Sequence, residues 1–174
     1  MSESHPSTSS FEPGQIPPGV MEALLRPSTN RPTSRTLASF PNGVTDVSTP
    51  ASEHQVNKHD LLCPRPECGS VILLAGVAQL VEKPSVQMEP ADRTPALLPP
   101  LPEPPAMAAW WRVAPSPMEF ENIGFSKPLS SSPGAPQMKL LVCAECDLGP
   151  VGWSEVGGTE FWLACSRVGY RATT

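Results

Sequence analysis

The sequence predicts a small, mainly β domain, stapled by one metal ion and set among proline-rich stretches. Three observations predict it. The chain holds 24 prolines and 12 glycines among 174 residues, about 21% where a globular chain has about 12%. No stretch carries a sustained amphipathic helical period, whereas short β-branched and aromatic runs flank glycine pairs. Two cysteine pairs, Cys63-x4-Cys68 and Cys143-x2-Cys146, have the spacing of metal knuckles.

The aromatic and proline residues divide the chain. Eight of the ten aromatics lie between Trp110 and Tyr170, while eight prolines fall in residues 1–57 and ten in residues 83–117. A core assembled from residues 58–83 and 107–174 has about 95 residues, a size at which a staple or metal helps. Residues 1–57 therefore read as a disordered tail. Residues 58–174 read as the folded domain, with 84–106 a proline-rich flexible insertion. Within the tail, Met21–Arg26 could form a transient helical turn.

The elements follow in order. Order is expected from Asp60, with Leu61-Leu62 leading into Cys63 and Gly69 following Cys68. Val71–Leu74 and Val77–Val81 flank Ala75-Gly76 and read as a hairpin. The run LLPPLPEPP (97–105) blocks helix and removes ladder donors, so it reads as a loop or polyproline II excursion, a linker before a ligand for adaptor modules. Trp111–Ala114 and Met118–Glu121 look extended, and Ser126–Gln137 is a soft loop. Met138–Val142 is apolar and should be a buried strand entering Cys143. Pro150–Trp153 and Thr159–Ala164 flank Gly157-Gly158 and read as a second hairpin, with Phe161, Trp162 and Leu163 on a strand covered on both faces.

Charge and chemistry narrow the function. A net charge of −5 and a pI near 5.2 disfavour a phosphate-binding surface. The start of the chain lacks an apolar signal region, and Val71–Val81 is far short of the roughly 20 residues a membrane span needs. A soluble, cytoplasmic protein is the expectation, and in that reducing compartment cysteines argue for metal over disulfides. Two knuckles complete a tetrahedral Zn²⁺ site of Cys63, Cys68, Cys143 and Cys146. Free buried thiols and a redox Cys-x2-Cys are the competing readings, the latter wanting a βαβ context that is absent.

No enzyme active site emerges. All three histidines precede the first knuckle, so no Cys–His nucleophile is supported, and no G-x4-G-K-[ST] loop is present. Four cysteine ligands would leave zinc no open position for a catalytic water. Cys165 reads as core packing. Two rivals stay open at this point. A zinc ribbon binding nucleic acid would need a basic face, and a sulfoxide reductase on a zinc scaffold would need a reactive thiol beside a positive neighbour such as Arg167.

Two stretches lie beyond what metal binding explains: Met118-Glu-Phe-Glu-Asn-Ile-Gly-Phe-Ser126 and Leu141-Val-Cys-Ala-Glu-Cys-Asp-Leu-Gly-Pro-Val-Gly-Trp153. With Cys-Gly-Ser at 68–70, they resemble the Rab-interacting-factor family, zinc-binding proteins that promote guanine-nucleotide release from Rab GTPases. The resemblance covers roughly residues 60–82 and 110–170 in the right order. It implies a β-tent fold with one structural zinc on the four cysteines. It also implies a chaperone-like surface for nucleotide-free Rab GTPases in vesicle-mediated secretory transport and exocytosis, with membranes reached through the Rab partner. Carried over by position, the Rab-facing residues are Met118, Glu121, Asn122, Glu145 and Asp147. The first knuckle is wider than the family's usual Cys-x2-Cys, the loop between the halves is unusually proline-rich, and residues 1–57 lie outside the resemblance. Without the resemblance, the glutamates around Phe120 would read as a solvated face.

Overall fold

The computed structural model describes residue 20 and residues 31–90, 92–93, 95–129 and 136–172. Met21–Arg26 lies outside the described residues. The chain from Arg31 to Thr174 is one unit, built as two antiparallel sheets with only short helical turns, as the glycine-punctuated pattern predicts. In chain order the strands are β1 (Ser34–Thr36), β2 (Ser48–Ala51), β3 (His54–Asn57), β4 (Leu61–Leu62), β5 (Val71–Leu73) and β6 (Gln79–Pro84). There follow β7 (Met107–Val113), β8 (Ile123–Phe125), β9 (Met138–Cys143), β10 (Gly152–Glu155), β11 (Phe161–Ala164) and β12 (Gly169–Arg171). One sheet runs β1-β12-β4-β5 and the other β2-β3-β6-β7-β11-β10-β9-β8.

Strand alternation sorts the larger sheet's side chains onto two faces. Trp111 and Val113 of β7, Leu141 and Cys143 of β9, and Phe161 and Leu163 of β11 join Leu61, Ile72, Leu73 and Tyr170 of the smaller sheet in the main core. Trp110, Trp153, Trp162 and Ala164 point to the opposite face. Phe161–Ala164 is buried throughout, as expected of a strand covered on both sides. Buried polar groups in the main core are paired: the Trp111 indole donates to the Tyr170 hydroxyl at 3.0 Å, which donates to the Cys165 carbonyl at 2.8 Å.

The outer cover of the tryptophan face comes from the proline-rich stretch. Met88 is buried against Trp110, Trp153 and Trp162, and Val86 and Leu101 pack beside it. The Arg167 guanidinium, 1% exposed, holds this stretch from below. It donates to the Pro99 and Pro150 carbonyls, each at 3.0 Å, and pairs with Glu89. Composition marks this stretch as a linker, yet three indoles cannot be left facing water, and the strap shields them.

Ordered structure also begins earlier than Asp60. Strand β1 pairs with β12, so closely that a Cβ on Gly169 would strike Ser34. Phe40 packs edge-on against Tyr170 with centroids 5.7 Å apart. A four-residue helix, α1 (Val44–Val47), buries Val47, and β2 and β3 form a hairpin on the edge of the larger sheet. Asn57 is fully buried, its amide donating to the His59 and Leu74 carbonyls and accepting from the Ala78 N–H. Composition hides this segment because sheet pairing uses backbone groups that every residue carries.

Two further elements differ from the sequence reading. The runs about Gly76 do not pair as a hairpin: β5 joins β4 in the smaller sheet, while β6 joins β3 and β7 in the larger. Gly76 still takes a left-handed φ of 82°, and the turn it makes hands the chain from one sheet to the other. Met118 and Glu119 lie in a 3-10 turn, Pro117–Glu119, capped by the Ser116 hydroxyl accepting from the Met118 N–H at 3.1 Å. Phe120 points inward all the same, edge-on to Phe161 at 5.8 Å, and Glu119 and Glu121 are exposed.

Candidate metal centre and the acidic surface around it

Two strand ends bring the cysteine pairs together. Cys63 follows β4, and its N–H donates to the Ser70 carbonyl at 2.8 Å; Cys68 donates back to Arg65 at 3.0 Å. Pro64 and Pro66 stiffen this four-residue loop, and Gly69, at φ +56°, closes it. Cys143 ends β9 and donates to the Leu148 carbonyl at 2.9 Å, while Asp147 donates to the Cys143 carbonyl at 2.9 Å. In the second knuckle it is Asp147, at φ +57°, that takes the left-handed position. Gly149 serves another need, since a Cβ there would lie 2.5 Å from Val142 Cγ1.

The four sulfurs lie within 4.8 Å of one another. Cys63 and Cys146 are 3.6 Å apart, and Cys68 and Cys143 are 3.8 Å apart. A tetrahedron with metal–sulfur bonds of about 2.3 Å has edges of about 3.8 Å. These two separations match, and four soft donors within 4.8 Å of one another could hold one metal ion. Cys63, Cys68 and Cys143 are buried and Cys146 is partly exposed. Burial pushes the Cys63 and Cys143 thiols up. Burial acts the same way on Cys146, but the Leu148 amide and the neighbouring thiols outweigh it and lower that thiol. Buried thiolates repel one another, and a divalent cation among them removes that cost.

Of the five positions named for a protein surface, Met118, Glu121, Asn122, Glu145 and Asp147, the last two lie in the second knuckle and Asn122 is tied to the first. The Glu121 N–H donates to the Ile72 carbonyl at 3.0 Å, and the Asn122 amide donates to the Ser70 hydroxyl at 2.6 Å, two residues from Cys68. Ile123 stands opposite Cys143 in the β8–β9 register. Met118 is 85% exposed, and Glu145 and Asp147 project from the second knuckle. One neighbour escaped the sequence reading. Arg31 reaches the first knuckle, donating to the Cys68 carbonyl at 3.1 Å, with Glu145 at 3.9 Å. It stands in the stretch read as a tail, and no sequence signal marks it.

Three further arginines and the fifth thiol are engaged elsewhere. Arg112 pairs with Glu160, Arg171 with Asp60 and Arg167 with Glu89. Cys165 is 1% exposed, and burial pushes its thiol up. A reactive thiol needs the reverse, and the Arg167 guanidinium is committed to Pro99, Pro150 and Glu89. Among the described residues, no helix is long and apolar enough to cross a membrane.

Comparison with known proteins agrees with this geometry. The Mss4 protein family matches residues 56–170, a span that includes both knuckles and the acidic turn. A Drosophila melanogaster protein described as a guanine nucleotide exchange factor MSS4 homolog is 41% identical over 56 residues, 32% of this chain and 41% of its own. A Schizosaccharomyces pombe protein with the same description is 40% identical over 50 residues, 29% of this chain and 45% of its own. The matched stretches thus span less than half of either relative.

Proposed function

This chain belongs to the Mss4 protein family, and from that premise we propose that it is a guanine-nucleotide exchange and release factor that holds nucleotide-free Rab GTPases. Vesicle-mediated secretory transport is its setting, and the cytoplasmic side of membranes its place of action, reached through the Rab partner. One zinc ion on Cys63, Cys68, Cys143 and Cys146 is structural: it ties the two knuckles and supplies no step of the exchange. The observation that carries the reading is the match over residues 56–170, supported by the exposed acids of the second knuckle, Glu145 and Asp147.

Exchange requires no covalent chemistry. A surface that binds the empty GTPase tenfold better than the nucleotide-bound form weakens the nucleotide tenfold, about 1.4 kcal/mol, by linkage. Glu121, Glu145 and Asp147 supply carboxylates that repel a bound phosphate and attract the basic groups left behind when it departs. Met118, held out by its capped turn, supplies the apolar contact. The knuckles fix Glu145 and Asp147 to a rigid frame, so that little ordering accompanies binding.

The test is GDP release from a secretory Rab, followed by fluorescence, with affinity compared for the empty and GTP-loaded forms. Wild type should accelerate release and prefer the empty form. Glu145→Lys should lower the rate about tenfold or more, since like charges at a contact cost several kcal/mol. Its thermal stability should hold, because the pair it breaks with Arg31 is exposed and long. Equal release with and without wild-type protein, and no affinity for the empty GTPase, would defeat the reading.

A further inference from the structure

We propose that residues 98–103 form a preset polyproline II ligand on the folded surface, read by a WW-type module whose aromatic groove recognises prolines without a flanking cation. The segment is Leu98-Pro99-Pro100-Leu101-Pro102-Glu103. Polyproline II has three residues per turn, so residues i and i+3 share a ridge. Burial follows that period. Leu98 is 4% exposed and Leu101 is half-buried, while Pro99, Pro100, Pro102 and Glu103 are all exposed. The leucine ridge packs into the domain, Leu98 with the main core and Leu101 with the tryptophan face. Pro99 and Pro102 form the second ridge and Pro100 and Glu103 the third, both open to water.

The segment is held before any partner arrives. No regular hydrogen-bonded structure occupies residues 99–103, as polyproline II requires. Arg167 Nε donates to the Pro99 carbonyl at 3.0 Å, and the Ala106 N–H donates to the Glu103 carbonyl at 2.9 Å. The Ser85 N–H, next to the end of β6, donates to the Ala106 carbonyl at 2.8 Å. The carbonyls of Pro100, Leu101 and Pro102 accept no hydrogen bond among the described residues, so they are free for the Tyr and Trp donors of an aromatic groove. A free proline-rich peptide loses ordering entropy when it binds; here folding has already met most of that loss.

Charge selects the kind of module. Aromatic grooves of both WW and SH3 domains take a P-x-x-P ridge such as Pro99 and Pro102. An SH3 groove adds an acidic pocket for a cation beside the motif, yet its sequence neighbours Ala96, Leu97 and Pro104–Met107 include no Lys or Arg, and Arg93, which lines a cleft with Pro100, Leu101 and Pro102, shares that cleft with Glu89 and Glu103. The exposed Glu103 on the third ridge favours a groove with a basic rim.

The experiment is calorimetric titration of the full zinc-loaded chain with a recombinant WW domain that takes Pro-Pro-Leu-Pro peptides, with an SH3 domain in parallel. One-to-one binding tighter than about 100 μM is expected for the WW domain. Pro99→Ala combined with Pro102→Ala should weaken it at least about tenfold, while Pro128→Ala, on another loop, should leave it unchanged. Should the double variant lose zinc, amide shifts in the wild-type protein give the answer instead. Perturbation of Leu101, Glu103 and Ala106 on adding the WW domain supports the proposal, and perturbation confined to the metal end overturns it. No saturable binding, equal affinity of a folded double variant, or tighter binding to the SH3 domain would also overturn it.

Discussion

Arg167→Met would unfasten the strap over the tryptophan face. Methionine keeps an apolar stem in the buried site and removes the guanidinium. Two carbonyl acceptors, on Pro99 and Pro150, lose a charged donor at 3.0 Å each. Glu89, whose side chain is 12% exposed, is left as a nearly buried carboxylate without its partner. Removing one member of a buried pair costs about 3–5 kcal/mol, most of it the stranded charge. In a domain of this size that lowers the melting temperature by about 10–15 °C. Glu89→Gln in the same chain removes the stranded charge, so the double variant should recover about half of the loss. Thermal unfolding at pH 7, followed by near-ultraviolet circular dichroism and tryptophan fluorescence, measures all four members of the cycle. Fluorescence of the folded Arg167→Met protein should shift to the red as water reaches Trp110, Trp153 and Trp162. A fall of less than about 3 °C, or strictly additive single and double variants, would refute the clasp.

Cys146→Ser should drop bound zinc from one per chain to none and abolish the cooperative unfolding transition, because metal binding and folding are coupled in such sites; elemental analysis and circular dichroism check both. His59 is held below its usual value of 6.5, first by burial and then by Lys58 and Arg35. The folded state therefore binds the proton less readily than the unfolded chain, and stability falls as pH drops below about 6.5. His59→Gln should shrink that fall, seen as a smaller change in the urea midpoint between pH 7.5 and 5.5.

Much of this was legible in the sequence because it depends on spacing along the chain. Cys143-x2-Cys146, at the end of an apolar strand and with a second cysteine pair to meet, reads as a knuckle, and glycines at 157 and 158 favour a turn between β10 and β11. The alternation of Phe161, Trp162 and Leu163 states that both faces of β11 are covered, though not by what. The motif F-E-N-x-G-F likewise marked the acidic turn, and its inward Phe120 and outward glutamates do not depend on whether the backbone is a strand or a 3-10 turn.

Tertiary structure alone decided the rest, and for one physical reason: those features are contacts between segments whose own composition is neutral about them. Strands β1, β2 and β3 gain order from backbone hydrogen bonds to edges supplied by β12 and β6. Val71–Leu73 and Gln79–Pro84 read equally well as partners, but β4 and β7 are the stronger ones, and the chain divides between two sheets. Arg31 reaches the knuckles from a stretch of low complexity. The proline-rich strap is ordered because its leucines, Met88 and the buried Arg167 find partners on a sheet face the strap itself cannot specify. Spacing determined the knuckles and turns of this protein; which surfaces they would meet was settled only when the chain had folded.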